Sequence, residues 1–386
     1  MKKLLLFLIL ISVLFSGCSS KKNDNIGVID LLSQPSDKLS KLSEIASDVE
    51  YIPLQTSENS LISYIHDLKT DSTRYYIYIL TKILCFDKKG KFLDELDNTG
   101  RGPEEYIYIN DWDISPEKNL LLICANKKIL LYNNTGNGFV FIKSLNFNKI
   151  LPKADFIPGQ NAILLSFFSP SGDEPLRNVV INFYGDTLEV RQNYYRYILS
   201  RDMGFAMTWD NLIYIYNNAI HFKEMLSDTV FTLDQNNEVK PYLILNSHGK
   251  HLTPQALANY STIHLSYYIE IDNIMEVPRY ILYNSGYKST IYFEIYDKVL
   301  NKIFGVDTKV FLTDDITGGV NFEPKFCYNG KLYSWIDAVI LKNYVSSESF
   351  IKSEGKNPEK KKSLKGLADS LRDTDNPVLI VVTPKE

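Results

Sequence analysis

Cysteine is scarce in this 386-residue chain, which contains four cysteines and no Cys-x-x-Cys pair. Cys85, Cys124 and Cys327 lie in apolar runs, which favours buried small side chains over a disulfide framework. The net charge of −4 is small, so the chain has no overall electrostatic attraction to nucleic acid. The sequence also lacks a Gly-x-Ser-x-Gly elbow and a Walker loop, which removes the usual signs of a hydrolase or a nucleotide-binding protein.

Long apolar runs are absent except at the N-terminus. Met1-Lys2-Lys3 is positively charged, Leu4 to Phe15 is apolar apart from one serine, and small residues precede Cys18. This order is typical of an export signal, and about a dozen apolar residues are too few to cross a bilayer comfortably. We therefore predict a signal peptide over residues 1–17 and a polar tether over residues 18–47.

The end of this signal resembles a bacterial lipobox. Leu14-Phe15-Ser16-Gly17-Cys18 carries the resemblance, with phenylalanine at the position where the pattern prefers leucine. The resemblance implies that Cys18 is lipidated and anchors the protein to a membrane of the cell envelope. The alternative is an ordinary cleaved signal that contains Cys18 by chance. Since no run of acidic residues follows Cys18, we expect the periplasmic side rather than the cell surface.

After residue 48 the sequence consists of short apolar runs separated by turn residues. The 26 tyrosines and 20 phenylalanines favour strands, and the runs recur in six sets roughly 40–70 residues apart. This pattern predicts an all-β protein, a six-bladed β-propeller over residues 48–386. Val49 to Leu54 is expected to close the ring by pairing with the last blade, and residues 343–375 are expected to form a small helical insertion.

Four segments resemble a known family. They are Tyr51 to Thr56, Phe86 to Leu93, Gly100 to Tyr106 and Leu312 to Gly319. In these segments the chain resembles the six-bladed β-propeller lipoproteins abundant in Bacteroidetes, which are similar to NHL-type and TolB-like propellers. The resemblance implies a propeller fold and export, and it implies no established activity.

The segment Gly100 to Tyr106 is the first candidate binding site. It joins the first two blades, and its glycines allow a close approach of the backbone. Arg101 offers a planar cation for a carboxylate, a phosphate or sugar hydroxyls. The alternative is that Arg101 only staples the loop, by pairing with a neighbouring acid. The predicted ligand-binding residues here are Arg101, Gly102, Glu104, Glu105 and Tyr106.

Two further groups have weaker patterns. Asp314 and Asp315, before paired glycines, are candidate ligand-binding acids, although turn formation explains them as well. His248 and His251, with His264 downstream, have a spacing too generic to predict a zinc site. We therefore predict no catalytic residue, no metal and no cofactor.

These observations favour a binding or scaffolding module at the bacterial cell envelope over an enzyme. The expected partners are a membrane, through Cys18, and a glycan, a peptide or an envelope protein at Arg101. The alternative is a metal-assisted lyase or glycan-cleaving enzyme that uses His248, His251 or Asp314.

Overall fold

The computed structural model describes residues 26–136, 138–151, 153–167, 172–198 and 211–386. The predicted signal peptide, Cys18 and an expected strand at Phe205 to Trp209 lie outside these residues. The chain begins with three strands, β1 (Gly27–Asp30), β2 (Asp37–Leu39) and β3 (Ala46–Pro53). These strands join three different sheets further along the chain.

Three four-stranded antiparallel sheets follow, and we number them as blades 1 to 3. Blade 1 comprises β4 (Asp67–Thr70), β5 (Arg74–Ile79), β6 (Lys82–Asp87) and β7 (Phe92–Leu96). Blade 2 comprises β8 (Asp111–Ser115), β9 (Leu120–Ala125), β10 (Lys128–Asn134) and β11 (Phe139–Asn146). Blade 3 comprises β12 (Lys153–Phe156), β13 (Ala162–Ser166), β14 (Leu176–Asn182) and β15 (Thr187–Gln192).

Blades 4 to 6 incorporate the N-terminal strands at their outer edges. Blade 4 comprises β16 (Asn211–Tyr216), β17 (Ala219–Glu224), β18 (Thr229–Leu233) and β19 (Val239–Asn246), followed by β1. Blade 5 comprises β20 (Glu270–Glu276), β21 (Tyr280–Tyr287), β22 (Thr290–Asp297) and β23 (Lys302–Val306), followed by β2. Blade 6 comprises β24 (Phe326–Tyr328), β25 (Lys331–Ile336) and β26 (Val378–Pro384), with β3 as its fourth strand.

The six sheets form a ring, so the predicted six-bladed β-propeller is confirmed. The ring closes where β3 pairs antiparallel with β26, in a register that places Val49 opposite Val382 and Pro53 opposite Val378. Val49 and Val382 are buried in the core between blades 5 and 6, while Ile52 lies in the core between blades 6 and 1. Strand β3 therefore packs against both neighbours of the last blade.

The N-terminal segment also covers the rim before it reaches β3. Strand β1 pairs parallel with β19, and β2 pairs parallel with β23. Gly27–Asp30 and Asp37–Leu39, which we assigned to the tether, are thus part of the propeller sheets. The physical reason is edge pairing: the outer strands of blades 4 and 5 present unpaired backbone groups, which a polar segment satisfies as well as an apolar one.

Helices are few in the described residues. Helix α1 (Pro254–Ala258) begins at Thr253, whose hydroxyl accepts a hydrogen bond from the Ala256 N–H at 3.1 Å. Helices α2 (Ala338–Val345), α3 (Glu348–Lys352) and α4 (Pro358–Ser370) form an insertion between β25 and β26, which begins slightly before the expected residue 343. Across the parts of the chain placed by the structure, none of the helices combines the length and the apolar character that a membrane crossing needs.

Strand direction defines two faces of the ring. Because neighbouring strands in a blade are antiparallel, the second-to-third turns and the blade-to-blade crossovers lie at one end, which we call the loop face. The first-to-second and third-to-fourth turns lie at the other end, which we call the turn face. The loop face carries residues 97–110 and the helical insertion, and the turn face carries residues 116–118.

A buried polar cluster joins blades 4 and 5. The Glu276 side chain is fully buried and accepts hydrogen bonds from the hydroxyls of Tyr214 at 3.0 Å and Tyr242 at 2.7 Å. Lys298 Nζ lies 3.0 Å from Glu276 Oε1 and completes the set. A buried charge of this kind is tolerated only while its partners are present.

We expect the Lys298→Met substitution to lower the free energy of unfolding by about 3 kcal/mol, because it leaves the Glu276 carboxylate buried without a cation. The double variant Glu276→Gln/Lys298→Met should recover part of this loss. Lys302→Met, at an exposed position nearby, serves as the matched control. Urea denaturation of the natural protein, both single variants Glu276→Gln and Lys298→Met, the double variant and the control measures the coupling, and additive effects of the two substitutions would contradict the assigned contact.

Candidate functional site

The loop between blades 1 and 2 is closed by its own backbone and by Glu105. The Gly100 N–H donates to the Tyr106 carbonyl at 2.9 Å, and the Gly102 N–H donates to Glu105 Oε2 at 2.8 Å. A Cβ at position 100 would lie 1.9 Å from the same Glu105 oxygen, which explains the glycine. Tyr106 is buried, and its hydroxyl donates to the Leu96 carbonyl at 3.3 Å. Glu105 and Tyr106 therefore shape the loop from within.

Side chains of blade 2 also hold this loop in place. Lys128 Nζ donates to the carbonyls of Gly102 at 3.1 Å and Pro103 at 3.3 Å. The Tyr132 hydroxyl donates to the Glu104 carbonyl at 3.2 Å. Since these contacts use only backbone oxygens of the loop, they set its position and leave the side chains of Arg101 and Glu104 to solvent.

Arg101 and Glu104 are exposed, and neither side chain forms a hydrogen bond or ion pair with any residue that the structure describes. The alternative in which Arg101 staples the loop finds no contact to support it, since Glu105, Lys128 and Tyr132 perform this role. Ile107 and Tyr108, just beyond the loop, expose 58% and 49% of their surface. This crossover therefore exposes a cation at Arg101 and, a few residues further along the chain, apolar and aromatic side chains.

Aromatic contacts connect this loop to the neighbouring crossover between blades 6 and 1. Tyr64 packs edge-on against His66 at a ring distance of 4.9 Å, and His66 lies 5.6 Å from the ring of Tyr78. The Tyr78 hydroxyl in turn lies 3.5 Å from the Ile109 carbonyl. The exposed side chains of Tyr64, Arg101, Ile107 and Tyr108 thus belong to neighbouring parts of the loop face, which we call the aromatic–arginine patch.

The two predicted acids near the last blade are both held by contacts within the protein. Asp314 is buried and accepts hydrogen bonds from the Thr317 N–H at 2.9 Å and from the Tyr51 hydroxyl at 3.0 Å. Burial, together with the Asp314 charge, raises the pKa of Tyr51 well above its ordinary value. Asp315 accepts from the Ser43 N–H at 2.9 Å and pairs with Lys356 at 3.0 Å. These contacts join the N-terminal segment and the helical insertion to blade 6.

The histidines lie in separate hydrogen-bond networks. His248 Nε2 lies 2.9 Å from Asp30 in β1, and His251 Nδ1 lies 3.2 Å from Asp228. His264 packs against the ring of Tyr267. In the described ranges, no three side chains of histidine, cysteine, aspartate or glutamate converge in a way that would hold a metal ion.

A cavity of about 390 Å³ lies on the propeller axis, and sequence reasoning missed it. Charged side chains of the innermost strands of blades 1 to 3 line one part of it, namely Lys69, Asp113 and Asp155. Pro116, Glu117 and Asn218, in first-to-second turns, mark its opening on the turn face. The signal that would have found it is the alternation of charged and apolar residues in β4, β8 and β12.

Carboxylates connect the innermost strands around this axis. Asp111 accepts a hydrogen bond from the Ala154 N–H at 2.9 Å, and Asp113 accepts one from the Phe156 N–H at 2.8 Å. Asp113 also pairs with Lys69 at 3.1 Å, so it links blades 1, 2 and 3. These two aspartates satisfy donors that an innermost strand leaves unpaired at its free edge.

Asp155 differs from these two acids. Its Oδ2 atom is buried and has no hydrogen-bond partner. Burial is the largest of the effects that raise the pKa of Asp155 to about 8, and the charges of Asp111 and Asp113 add to it. The charges of Lys69 and Lys153 oppose this shift. Burial also raises the pKa of Asp111 to about 6. At neutral pH, Asp155 is therefore mostly protonated.

Comparisons with known proteins agree with this class of fold. Residues 26–383 match the family described as Domain of unknown function (DUF4934), and the chain belongs to this family. A search of curated proteins gave no match.

Two solved structures resemble the propeller over almost its whole length. The first is a Bacteroides fragilis protein described as exported, with 17% identity, a TM-score of 0.68, and coverage of 93% of this chain and 99% of that one. The second is a Bacteroides vulgatus member of the DUF4221 family, with 15% identity, a TM-score of 0.51, and coverage of 88% and 97%. At these identities the likeness concerns the fold alone. Family and fold agree with the predicted resemblance to Bacteroidetes propellers.

Proposed function

We propose that this protein is an exported binding module of the bacterial cell envelope, anchored through a lipid on Cys18, whose loop face holds a protein partner. Export is supported by the N-terminal signal pattern and by the similarity to a Bacteroides fragilis protein described as exported. The anchor rests on the lipobox resemblance. The periplasmic side is favoured because no run of acidic residues follows Cys18.

One observation carries the binding role: the loop Gly100 to Tyr106 is fixed by blade 2 while Arg101 is left exposed. A rigid loop loses little conformational entropy on binding, so its contacts contribute more of their energy to affinity. Arginine and tyrosine are enriched among the residues that dominate protein interfaces. The aromatic–arginine patch offers both beside the apolar side chain of Ile107, which favours a protein over a glycan.

Backbone strain marks the same face. Leu80, in the second-to-third turn of blade 1, has a φ of 48° and exposes 64% of its surface. A leucine in the left-handed region is unfavourable by about 1 kcal/mol or more, and such residues concentrate at functional sites. The position of Leu80 on the loop face is consistent with use of this face for recognition.

The enzymatic alternative gains no support from the same geometry. His248, His251 and Asp314 each bind different neighbours, and Asp314 is buried. We therefore propose no catalysis by these three residues.

The Arg101→Ala substitution should weaken partner binding by about 2 kcal/mol, roughly thirtyfold in affinity, and leave the melting temperature unchanged. The native protein and the variant are purified from their own membranes after mild crosslinking, and the attached molecules are identified by mass spectrometry. Lys89→Ala removes an exposed cation from the turn face and serves as the control. A partner set unaffected by Arg101→Ala would refute the role of Arg101, and loss of a glycan alone would change the partner class.

A further inference from the structure

The axial cavity is separate from the loop face. It opens on the turn face, and its volume of about 390 Å³ lies within the range of small-molecule sites. Its two sides differ in chemistry. Blades 1 to 3 contribute the charged side, described above, while blades 4 to 6 contribute mainly apolar side chains, namely Ile213, Ile215, Ile274, Phe326 and Tyr328.

The charged side has an excess of acids over bases. Asp113 is occupied by Lys69 and the Phe156 N–H, whereas Asp155 presents a buried oxygen that nothing in the described structure satisfies. Buried polar groups are usually paired, so an unpaired carboxylate oxygen on a side chain that lines a cavity indicates a donor supplied from outside the chain. A cationic donor would satisfy this oxygen and reduce the repulsion among Asp111, Asp113 and Asp155.

We infer that the axial cavity binds a small organic cation, a primary amine or a guanidinium with an apolar body, whose charged group pairs with Asp155. The described residues lack three converging ligands for a metal ion, which favours an organic cation. The aromatic rings of Phe326 and Tyr328 supply a surface for the apolar part of such a ligand.

Binding of a cation is coupled to a proton. Because the pKa of Asp155 is about 8, a ligand cation that pairs with the ionised carboxylate displaces one proton below that pH. Asp111 and Asp113 on β8, Lys69 on β4, Lys153 on β12, and Glu117 and Lys325 at the lining are the other charged groups near the site. Affinity for the cation should therefore rise with pH and level off above about pH 8.

The test uses three probes of similar shape and different charge: 2-phenylethylamine, 2-phenylethanol and 3-phenylpropionate. Isothermal titration calorimetry with the purified native protein should show the amine binding at least tenfold more tightly than the alcohol, and the acid not binding. The heat measured in two buffers of different ionisation enthalpy should reveal proton release at pH 7. Asp155→Asn should weaken amine binding at least tenfold and abolish that release.

Asp186 is an exposed acid of blade 3, and the Asp186→Asn substitution is the control for a change of charge alone. Circular dichroism establishes that each variant is folded before titration. Equal affinities for the amine and the alcohol, amine binding that survives Asp155→Asn, or no amine binding at millimolar concentration would each overturn the inference. None of these outcomes affects the proposed partner site, which lies on the opposite face.

Discussion

Replacing Val49 by aspartate should prevent the propeller from folding stably at room temperature. Val49 is 1% exposed in β3 and lies opposite Val382, which is completely buried. An aspartate there would place a carboxylate in an apolar core without a cation. Together with the lost apolar contacts, the expected cost is of the order of 5 kcal/mol, comparable to the whole stability of many domains.

Circular dichroism and urea denaturation measure this effect. Glu50→Ala, at the next and exposed position of the same strand, is the matched control and should change the stability by less than about 0.5 kcal/mol. If Val49→Asp and Glu50→Ala had the same melting temperature as the natural protein, β3 would not be the strand that closes the ring.

Asp155 should make the propeller less stable as the pH rises. Its pKa is about 8 in the folded state and about 3.8 in the unfolded chain, so between these values the folded state holds the extra proton. The contribution of Asp155 is therefore fully favourable below about pH 4. It decreases by up to about 1.4 kcal/mol per pH unit until about pH 8, where it levels off. Asp111, with a folded pKa of about 6, adds a similar decrease over a narrower range.

Asp155→Asn should remove the larger part of this decrease, because the amide keeps the shape of the side chain and cannot ionise. Urea denaturation from pH 4 to pH 9 measures the free energy of unfolding of the variant and of the natural protein. The effects of carboxylates that both proteins contain cancel when the two free energies are subtracted. The variant should match the natural protein near pH 4 and exceed it in stability at pH 9. Asp186→Asn should leave the pH profile unchanged. A difference that does not vary with pH would show that Asp155 is not the titrating group.

The ring could be predicted from the sequence because the two middle strands of blades 1 to 3 are largely apolar and buried on both faces. The runs in blade 2 around Leu121 and Leu130 follow this rule, whereas the closing strand around Val49 has apolar residues between exposed ones. The side chains of such runs fill the cores between blades, so the apolar runs indicate the strands of the fold.

The apolar runs in the sequence did not indicate the innermost strands of blades 1 to 3, because these strands are not apolar on both faces. Asp67 to Thr70, Asp111 to Ser115 and Lys153 to Phe156 alternate charged and apolar residues, since every second side chain faces the axis. Such short mixed segments look like loops when only apolar runs are sought. Alternation with a period of two, recurring three times, would have predicted both the strands and a charged axis.

The rest of the candidate site depends on contacts between distant parts of the chain. The sequence indicated the loop Gly100 to Tyr106 as a unit, but it did not show that Lys128 and Tyr132 fix the loop and leave Arg101 exposed. Likewise, β1 and β2 are too short and polar to be recognised alone. They become strands because the edges of blades 4 and 5 are available to them.

Hydrogen–deuterium exchange of the native, membrane-extracted protein tests the central claim, that the loop face holds a partner, most directly. Exchange is compared between the protein alone and the protein crosslinked to its partner. Residues 187–192, at the rim of blade 3, serve as an internal reference. The account predicts slower exchange in the crossovers 54–66 and 97–110 and unchanged exchange in the reference strand. Protection confined to the rim or to the turn face, with the two crossovers unaffected, would contradict it.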